Sequence, residues 1–206
     1  MIEVNVTLSD GTNETIPIAS HTKVVDLSSK SIMAINLSEL DGLEAIESLI
    51  LSGNSLMTVD LTVLAFCPGI RSIYLNENNI QIVNLETLGY CTTLENLDLS
   101  QNQIFRVDLS PLSQCKSLVT LSLEKNRLVN LDLSPISKCA QLRELNLLQN
   151  PIKRLDITPL LSCASLDELM VPDNSRLISR KRQEIELLNP PAINRLIAED
   201  KIEFLL

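Results

Sequence analysis

Aromatic side chains, glycine and histidine are scarce in this sequence of 206 residues. Aromatic residues make up 2% of the chain, tryptophan is absent, and there are five glycines and one histidine. So few glycines give no glycine-rich phosphate loop, and a lone histidine cannot form the histidine pair of a metal or acid–base site. The sequence therefore predicts a noncatalytic protein, and its 45% of hydrophobic residues predicts an aliphatic core.

Positive charge and long apolar runs are also lacking. The chain has 17 Lys and Arg against 26 Asp and Glu, a formal net charge of −9. This balance disfavours nucleic acid and anionic membranes, which attract clustered cations. No apolar run reaches the roughly 18 residues of a membrane-spanning helix, and the N-terminal MIEVNVTLSDG lacks the basic and apolar regions of a signal peptide. We therefore expect a cytoplasmic protein whose partner is a protein with a basic or neutral surface.

The sequence does contain a unit that recurs every 24 residues, as in residues 94–117. Superposing the units aligns one column of asparagines and one of cysteines. The asparagines are Asn54, Asn78, Asn102, Asn126, Asn150 and Asn174, and the cysteines are Cys67, Cys91, Cys115, Cys139 and Cys163. A fixed period of this length predicts stacked repeats, in which each unit contacts only its neighbours.

Within each unit, apolar residues occupy positions 1, 4, 6, 11, 14, 16 and 19, Asn occupies position 9 and Cys position 22. Five copies match closely: IESLILSGNSL, IRSIYLNENNI, LENLDLSQNQI, LVTLSLEKNRL and LRELNLLQNPI. The pattern resembles the leucine-rich repeat family, whose signature is L-x-x-L-x-L-x-x-N-x-L. The period is closest to the typical subclass, with Cys at position 22. The resemblance implies an α/β fold: a curved solenoid with a parallel inner β-sheet and short α- or 3-10-helical turns on the convex side.

We predict one domain over residues 1–206. Residues 1–21 form a hairpin-like cap, because Ile2 to Leu8 alternate apolar and polar residues and a turn signal follows. About seven repeats span 22–174, and a helical cap spans 175–206. The basic cluster Arg176, Arg180, Lys181 and Arg182 is interpreted as a solvated helical face within that cap.

Three side-chain columns suggest chemistry, and each has a structural interpretation that we favour. The cysteines are odd in number and evenly spaced, which favours buried reduced thiols over disulfides or zinc ligands. The asparagines favour buried amides that bond to the backbone over a polar binding ladder. The Asp or Asn at position 15 favours local backbone bonds over calcium. After it, Ser110, Ser134 and Thr158 each precede a proline, which predicts helix N-caps at these three residues.

Positions 3 and 5 of each strand point away from the core, with positions 7 and 8 beside them, so function is expected on this concave face. The candidate partner-binding residues are Ile50, Tyr74, Asn76, Asn96, Asp98, Ser122, Glu124, Glu144, Asn146 and Met170. Ile50 and Tyr74 are the predicted apolar anchor, surrounded by acidic acceptors for a basic ligand. We predict a monomeric, cofactor-free protein-interaction module or scaffold without catalytic or metal-binding residues. The alternative is a regulatory subunit or repeat domain that controls a catalytic partner such as a phosphatase or GTPase.

Overall fold

The computed structural model describes residues 1–41, 43–180 and 190–204. Over these residues the chain is a stack of coils, each one 24-residue unit, which we call rungs. Short strands dominate the described elements. They are β1 (Ile2–Leu8), β2 (Asn13–Ile18), β3 (Val24–Asp26), β4 (Ile32–Ile35), β5 (Ser48–Ile50), β6 (Ser72–Tyr74), β7 (Asn96–Asp98), β8 (Thr120–Ser122), β9 (Glu144–Asn146), β10 (Arg154–Asp156), β11 (Glu168–Met170), β12 (Arg176–Ser179) and β13 (Ile202–Phe204).

The inner wall is a parallel sheet of seven strands in the order β11-β9-β8-β7-β6-β5-β3. Each strand is three residues long, and its central side chain points into the core. Leu49, Ile73 and Leu97 align across neighbouring strands and are at most 1% exposed. Because side chains alternate along a strand, the residues on either side of them point outward. The parallel inner sheet predicted from the repeat is therefore confirmed.

The outer wall consists of 3-10 helices rather than α-helices. They span Leu37–Leu40, Thr62–Phe66, Glu86–Tyr90, Ser110–Gln114, Ser134–Lys138 and Thr158–Ser162. The predicted N-caps are wrong by one residue, since Ser110, Ser134 and Thr158 begin these helices and the residues before them, Leu109, Leu133 and Ile157, are the N-caps. The side chain at position 15 accepts a hydrogen bond from the first or second helical N–H, as Asp108 Oδ1 does from Ser110 N at 2.8 Å.

This bond repeats in every described rung that has a helix, which explains the Asp and Asn column. The acceptors are Asn36, Asp60, Asn84, Asp108, Asp132 and Asp156. Hydrogen bonds from the hydroxyl and amide of Ser110 lower the pKa of Asp108 below its usual value, as those of Thr62 do for Asp60. The local-backbone interpretation of the column is confirmed.

The asparagine column is buried at the corner where each rung leaves the inner strand. Asn102 is 8% exposed, and its Nδ2 donates to the carbonyl oxygens of Leu75 at 2.9 Å and Leu99 at 3.2 Å. Four neighbours in the column, Asn54, Asn78, Asn126 and Asn150, bond in the same way. Asn174, where the repeat pattern ends, is exposed instead. From Asn54 to Asn150, the interpretation as structural amides is confirmed.

All five cysteines are free and buried on the opposite side of the core. Cys115 Sγ donates a weak hydrogen bond to the carbonyl oxygen of Leu88, 3.2 Å away on the preceding rung, and Cys139 and Cys163 repeat this arrangement. Burial, followed by the neighbouring thiols, raises the pKa of Cys115 to about 12. The thiols therefore pack as small apolar groups, as predicted.

Additional strands cover the two ends of the described stack. At the N-terminal end β1 pairs antiparallel with β2 and also with β4, so Pro17 lies on the edge strand β2. At the C-terminal end, helix α1 (Pro191–Ala198) buries Ala192, Ile193 and Leu196. Among the described residues, no helix combines the length and apolar character needed to cross a membrane.

For Arg176, the helical interpretation of the basic cluster is wrong. Arg176 begins β12, which lies between β10 and β13 in a parallel sheet on the outer side. Arg176 forms an ion pair with Glu203, and Arg180 pairs with Asp156 at 2.8 Å. Lys181 and Arg182 lie outside the described residues. Residues Arg176–Ser179 form a strand because they pair with β10 and β13. These partners are distant along the chain, so local periodicity cannot reveal them.

Candidate functional site

The concave face is the outward surface of the inner sheet, formed by positions 3 and 5 with position 7 beside them. Ile50, Tyr74 and Asp98 are direct neighbours on successive strands of this sheet. All three side chains are partly exposed. The predicted anchor is thus one contiguous surface, with a carboxylate on the strand next to the tyrosine.

Hydrogen bonds between rungs hold the asparagines of this face. Asn96 Nδ2 donates to Ser72 Oγ at 3.1 Å, and Asn96 Oδ1 accepts from Thr120 Oγ1 at 2.7 Å. Asn76 Oδ1 likewise accepts from Ser52 Oγ at 2.6 Å. These amides therefore fix the local shape of the face, which leaves less of their capacity for a ligand.

Asn146 is a correction to the set of candidate contacts, because its side chain is only 9% exposed. Its Nδ2 donates to Glu124 Oε2 at 3.0 Å, and its Oδ1 accepts from the backbone N–H of Leu148 at 3.0 Å. Asn146 lies on the predicted face, but its arrangement favours a role in orienting the Glu124 carboxylate over direct contact.

Carboxylates are the only charged groups at positions 3, 5 and 7 of the repeats. Asp98 is held by the backbone N–H of Ser100 at 2.9 Å, while Glu144 and Glu168 follow each other on neighbouring strands. Glu168 is exposed, and the partly exposed Ser122 and Met170 complete the predicted set. The charge at these positions is therefore only negative, and it is concentrated on the rungs that follow Tyr74.

The cations at position 2 border one side of this face, and each forms an ion pair with the next rung. Lys23 pairs with Glu47 at 2.6 Å, Arg71 with Glu95, and Arg143 with Asp167 at 3.7 Å. These exposed pairs contribute little stability. They neutralise that border of the sheet. On the other border Lys125 follows Glu124 but donates to Gln101 Oε1 at 3.2 Å, and among the described residues Asp98, Glu124 and Glu144 form no ion pair.

The described residues include no group of three or more His, Cys, Asp or Glu arranged to hold a metal ion. The thiols are buried and their pKa values are raised, which disfavours the thiolate form that a nucleophile needs. What the concave face offers is an ordered, acidic and polar surface with one apolar anchor. That chemistry suits noncovalent binding.

Comparison with known proteins supports the solenoid fold of stacked rungs described above. The family model described as "Leucine rich repeat" matches residues 47–104. The chain is a leucine-rich repeat protein. Leucine-rich repeat domains are generally protein-interaction modules and are typically noncatalytic. A search of curated proteins found no match to this chain.

Several solved leucine-rich repeat structures are similar to this chain. Internalin C2 from Listeria monocytogenes is 31% identical over 66% of this chain and 56% of its own, with a TM-score of 0.54. The Arabidopsis receptor kinase HAESA, solved with the peptide hormone IDA and the co-receptor SERK1, is 24% identical over 86% of this chain and 29% of its own, with a TM-score of 0.69.

A third similar structure is the functional domain of InlJ from Listeria monocytogenes, described as including a cysteine ladder. It is 18% identical over 83% of this chain and 40% of its own, with a TM-score of 0.54. This leucine-rich repeat protein thus spans between 29% and 56% of the length of the three chains. At 24% and 18% identity, the likeness to HAESA and InlJ concerns the fold.

Sequence reasoning missed a second set of exposed side chains on this leucine-rich repeat protein. Phe105 is 50% exposed and Val129 is 55% exposed, both at position 12, where the repeat signature specifies no residue type. Phe66 and Tyr90, both at position 21, are more than 60% exposed. The available signal was the scarcity of aromatics, because a core that needs none leaves them for the surface.

Proposed function

We propose that this protein is a noncatalytic interaction module whose concave face binds a basic segment of a partner protein. In this proposal Ile50 and Tyr74 form the apolar anchor, and the carboxylates of Asp98, Glu124 and Glu144 receive the cations of the partner. A monomeric chain acting in the cytoplasm is part of the same proposal.

The observation that carries the proposal is the combination, on one ordered sheet, of an aromatic–aliphatic pair with acids that form no ion pair among the described residues. Large apolar side chains supply much of the affinity at protein interfaces, and complementary charge adds specificity and speeds association. Tyr74 suits this role further because its hydroxyl forms no hydrogen bond with any described residue. The HAESA structure, which contains a peptide hormone, supports peptide binding by a relative in fold.

The test begins with capture of binding proteins from native lysate on the immobilised chain. Each recovered protein is then purified and titrated against the wild type and the double variant Ile50→Ser/Tyr74→Ser. We expect the double variant to bind roughly tenfold more weakly or worse, because the anchor is lost. The melting temperature should change little, since both side chains are partly exposed and lie outside the core.

A matched control comes from the same two rungs. The variant Phe66→Ser/Tyr90→Ser also removes two exposed apolar side chains, but at position 21, away from the concave face. It should bind like the wild type. Equal affinity of the concave variant and the wild type would reject the concave face as the site.

The contribution of charge is tested with Asp98→Asn/Glu144→Gln. We expect slower association with the purified partner and a weaker dependence of affinity on salt, because steering by charge acts mainly on the association rate. If a captured partner is a phosphatase or GTPase, measuring its turnover with and without the chain decides between scaffold and regulatory subunit.

A further inference from the structure

A second surface runs along one side of the stack, at the corner that follows each buried asparagine. Its apolar members are Met57, Ile82, Phe105 and Val129, and its basic members are Arg106, Arg127, Lys153 and Arg154; together they are the lateral stripe. The four apolar side chains are 54%, 56%, 50% and 55% exposed, and the four basic ones are also exposed. They occupy positions 10, 12 and 13 of consecutive rungs.

The backbone under the lateral stripe is firmly held. Position 11, between these exposed residues, is buried; Ile104 and Leu128 are both 0% exposed. The backbone N–H of Ile104 donates to Asn126 Oδ1 at 2.9 Å, and a parallel bridge aligns Ile82 with Arg106 on the next rung. Because the corner is fixed from rung to rung, its exposed side chains form a preorganised row.

The charge of this row is opposite to that of the molecule as a whole. In the last three full rungs, positions 8 to 13 read QNQIFR, KNRLVN and QNPIKR, with five cations and no acid. The entire chain has a formal net charge of −9. Charge of one sign concentrated on one side of an oppositely charged protein steers a complementary partner to that side.

The cations of the lateral stripe differ in their pairing from those that form ion pairs, and Lys30 and Lys138 resemble them in having none among the described residues. Six Lys and Arg residues elsewhere form ion pairs with a carboxylate: Lys23, Arg71, Arg143, Arg176, Arg180 and Lys201. Within the described part of the chain, Arg106, Arg127, Lys153 and Arg154 have no ion pair within 4.0 Å and no side-chain hydrogen bond. Arg106 and Arg154 still lie close enough to Asp108 and Glu203, respectively, to interact with them electrostatically. Arg127 and Lys153 are therefore the two cations of the lateral stripe that the fold leaves available to an external acid.

We propose that the lateral stripe binds an acidic segment of a partner protein, with large apolar side chains of that segment against Phe105 and Val129. Carboxylates of the segment would pair with Arg127 and Lys153. The lateral stripe crosses five rungs from Met57 to Lys153, about 19 Å at a strand spacing of about 4.8 Å, which is roughly six residues of extended chain. This ligand is opposite in charge to the one proposed for the concave face.

A protein segment explains both halves of the surface. Apolar side chains at an interface favour a partner that buries carbon, and the interleaved cations favour carboxylates. Nucleic acid accounts only for the cations, and the acidic remainder of the chain repels it. A second copy of this chain would have to offer its own acidic concave face, so self-association is a distinct and measurable outcome.

The test uses a phage-displayed library of random peptides selected on the wild-type chain. Counter-selection uses the variant Phe105→Ser/Arg127→Glu, and we expect the enriched peptides to combine Asp or Glu with large apolar residues. A selected peptide, labelled with fluorescein, should bind the wild type at least about tenfold more tightly than the variant, with affinity that falls as salt rises. Equal melting temperatures verify that the variant folds; if it does not, Val129→Ser/Lys153→Gln takes its place.

Two controls separate this surface from the others. Phe66→Ser/Lys138→Glu changes an exposed aromatic and an exposed lysine at position 21, and it should leave peptide binding unchanged. Ile50→Ser/Tyr74→Ser should also leave it unchanged, which makes this test independent of the concave proposal.

Four outcomes would overturn the proposal. One is a failure to enrich peptides over the counter-selection, and another is enrichment of peptides without acids. A third is binding of an oligothymidylate that the variant abolishes while peptide affinity stays the same. The last is self-association in sedimentation velocity that the variant abolishes, which would make a second copy the occupant.

Discussion

The side-chain oxygen of Asn102 accepts a hydrogen bond from the backbone nitrogen of Ile80, 3.0 Å away on the preceding rung. The same side chain donates to the carbonyl oxygens of Leu75 and Leu99. Its Nδ2 also donates to the carbonyl oxygen of Ser100 at 3.1 Å, so one buried amide serves four backbone groups where the chain turns away from the inner sheet. Buried backbone groups need partners, so a rung cannot turn here at low cost without this side chain.

Replacing that amide should destabilise the protein. We expect Asn102→Ala to lower the free energy of unfolding by about 3 kcal/mol, because buried backbone groups lose their partners. Urea denaturation at neutral pH measures the change. The control is Asn130→Ala at an exposed position, which should stay within about 0.5 kcal/mol of the wild type. Equal effects of the two substitutions would contradict the assigned role of Asn102.

A core leucine provides the second prediction. Leu99 is 0% exposed, and Leu99→Ala should cost about 2 to 5 kcal/mol, because the substitution removes buried apolar packing and leaves a cavity behind. Ile82→Ala removes a branched aliphatic side chain that is 56% exposed, and it should cost far less. Thermal or urea unfolding distinguishes them, and a Leu99→Ala variant as stable as the wild type would refute the assignment of Leu99 to the core.

Position 8 of the first six rungs has a left-handed backbone, which most residue types adopt only with strain. Gln101 has φ 53°, whereas Gly53 fills the same position with φ 67°. We expect Gln101→Gly to be neutral or to stabilise by up to about 1 kcal/mol, because glycine carries little strain there. Gly53→Ala should destabilise by about 1 kcal/mol or more, since its Cβ would also lie 2.9 Å from Ser29 Oγ. Chemical denaturation of both variants tests the opposite signs.

The buried thiols predict a loss of stability at alkaline pH. Burial, followed by the neighbouring thiol of Cys139, raises the pKa of Cys163 to about 12 from an ordinary value of 9.0, which is taken for the unfolded chain. Between these values the unfolded chain loses a proton that the folded chain keeps, so stability is full below about pH 9 and falls as pH rises. Each such thiol contributes a slope of up to about 1.4 kcal/mol per pH unit.

The measurement compares urea midpoints of the wild type and Cys163→Ala from pH 8 to pH 11. The variant should lose stability less steeply, and the comparison cancels the titration of lysines and tyrosines common to both chains. Parallel curves would show that the thiol is not buried as described. Native protein should also resist thiol-labelling reagents until it unfolds.

Much of the fold can be predicted from the sequence because a given position of the repeat has the same surroundings in every rung. The repeat positions of Leu97 and Cys115 hold buried apolar residues or cysteines in successive rungs, so the inner sheet and the packed thiols are predictable. The same regularity led to a wrong prediction of the residues at which the helices begin. The pair Ser110-Pro111 is typical of a cap followed by a first helical residue, but Asp108 takes the cap role through its side chain.

The C-terminal segment shows where local pattern fails. Arg176 and its neighbours form β12 because β10 and β13 flank it in space, although Ile202 lies about one rung-length further along the chain. The candidate site is predictable only as a surface. The repeat determines that Tyr74 faces outward, but it does not determine what the tyrosine contacts, because no structural requirement acts on that position. The role of the concave residues and the cytoplasmic location stay predictions.

The hydrogen bonds from Asn102 and Cys115 both reach back to the rung before, and the same atoms recur at intervals of 24 residues. A whole rung can therefore be removed without changing the repeat pattern. Excision of residues 94–117 would place Leu118 directly after Thr93, where Leu94, the equivalent residue of the excised rung, stands in the natural sequence. The interior would keep the same types of neighbour, while Asn130 would move alongside Ile82 and Ser122 alongside Tyr74. Gain or loss of a whole rung in such a molecule changes which surface side chains are neighbours, while the packing of the core stays the same.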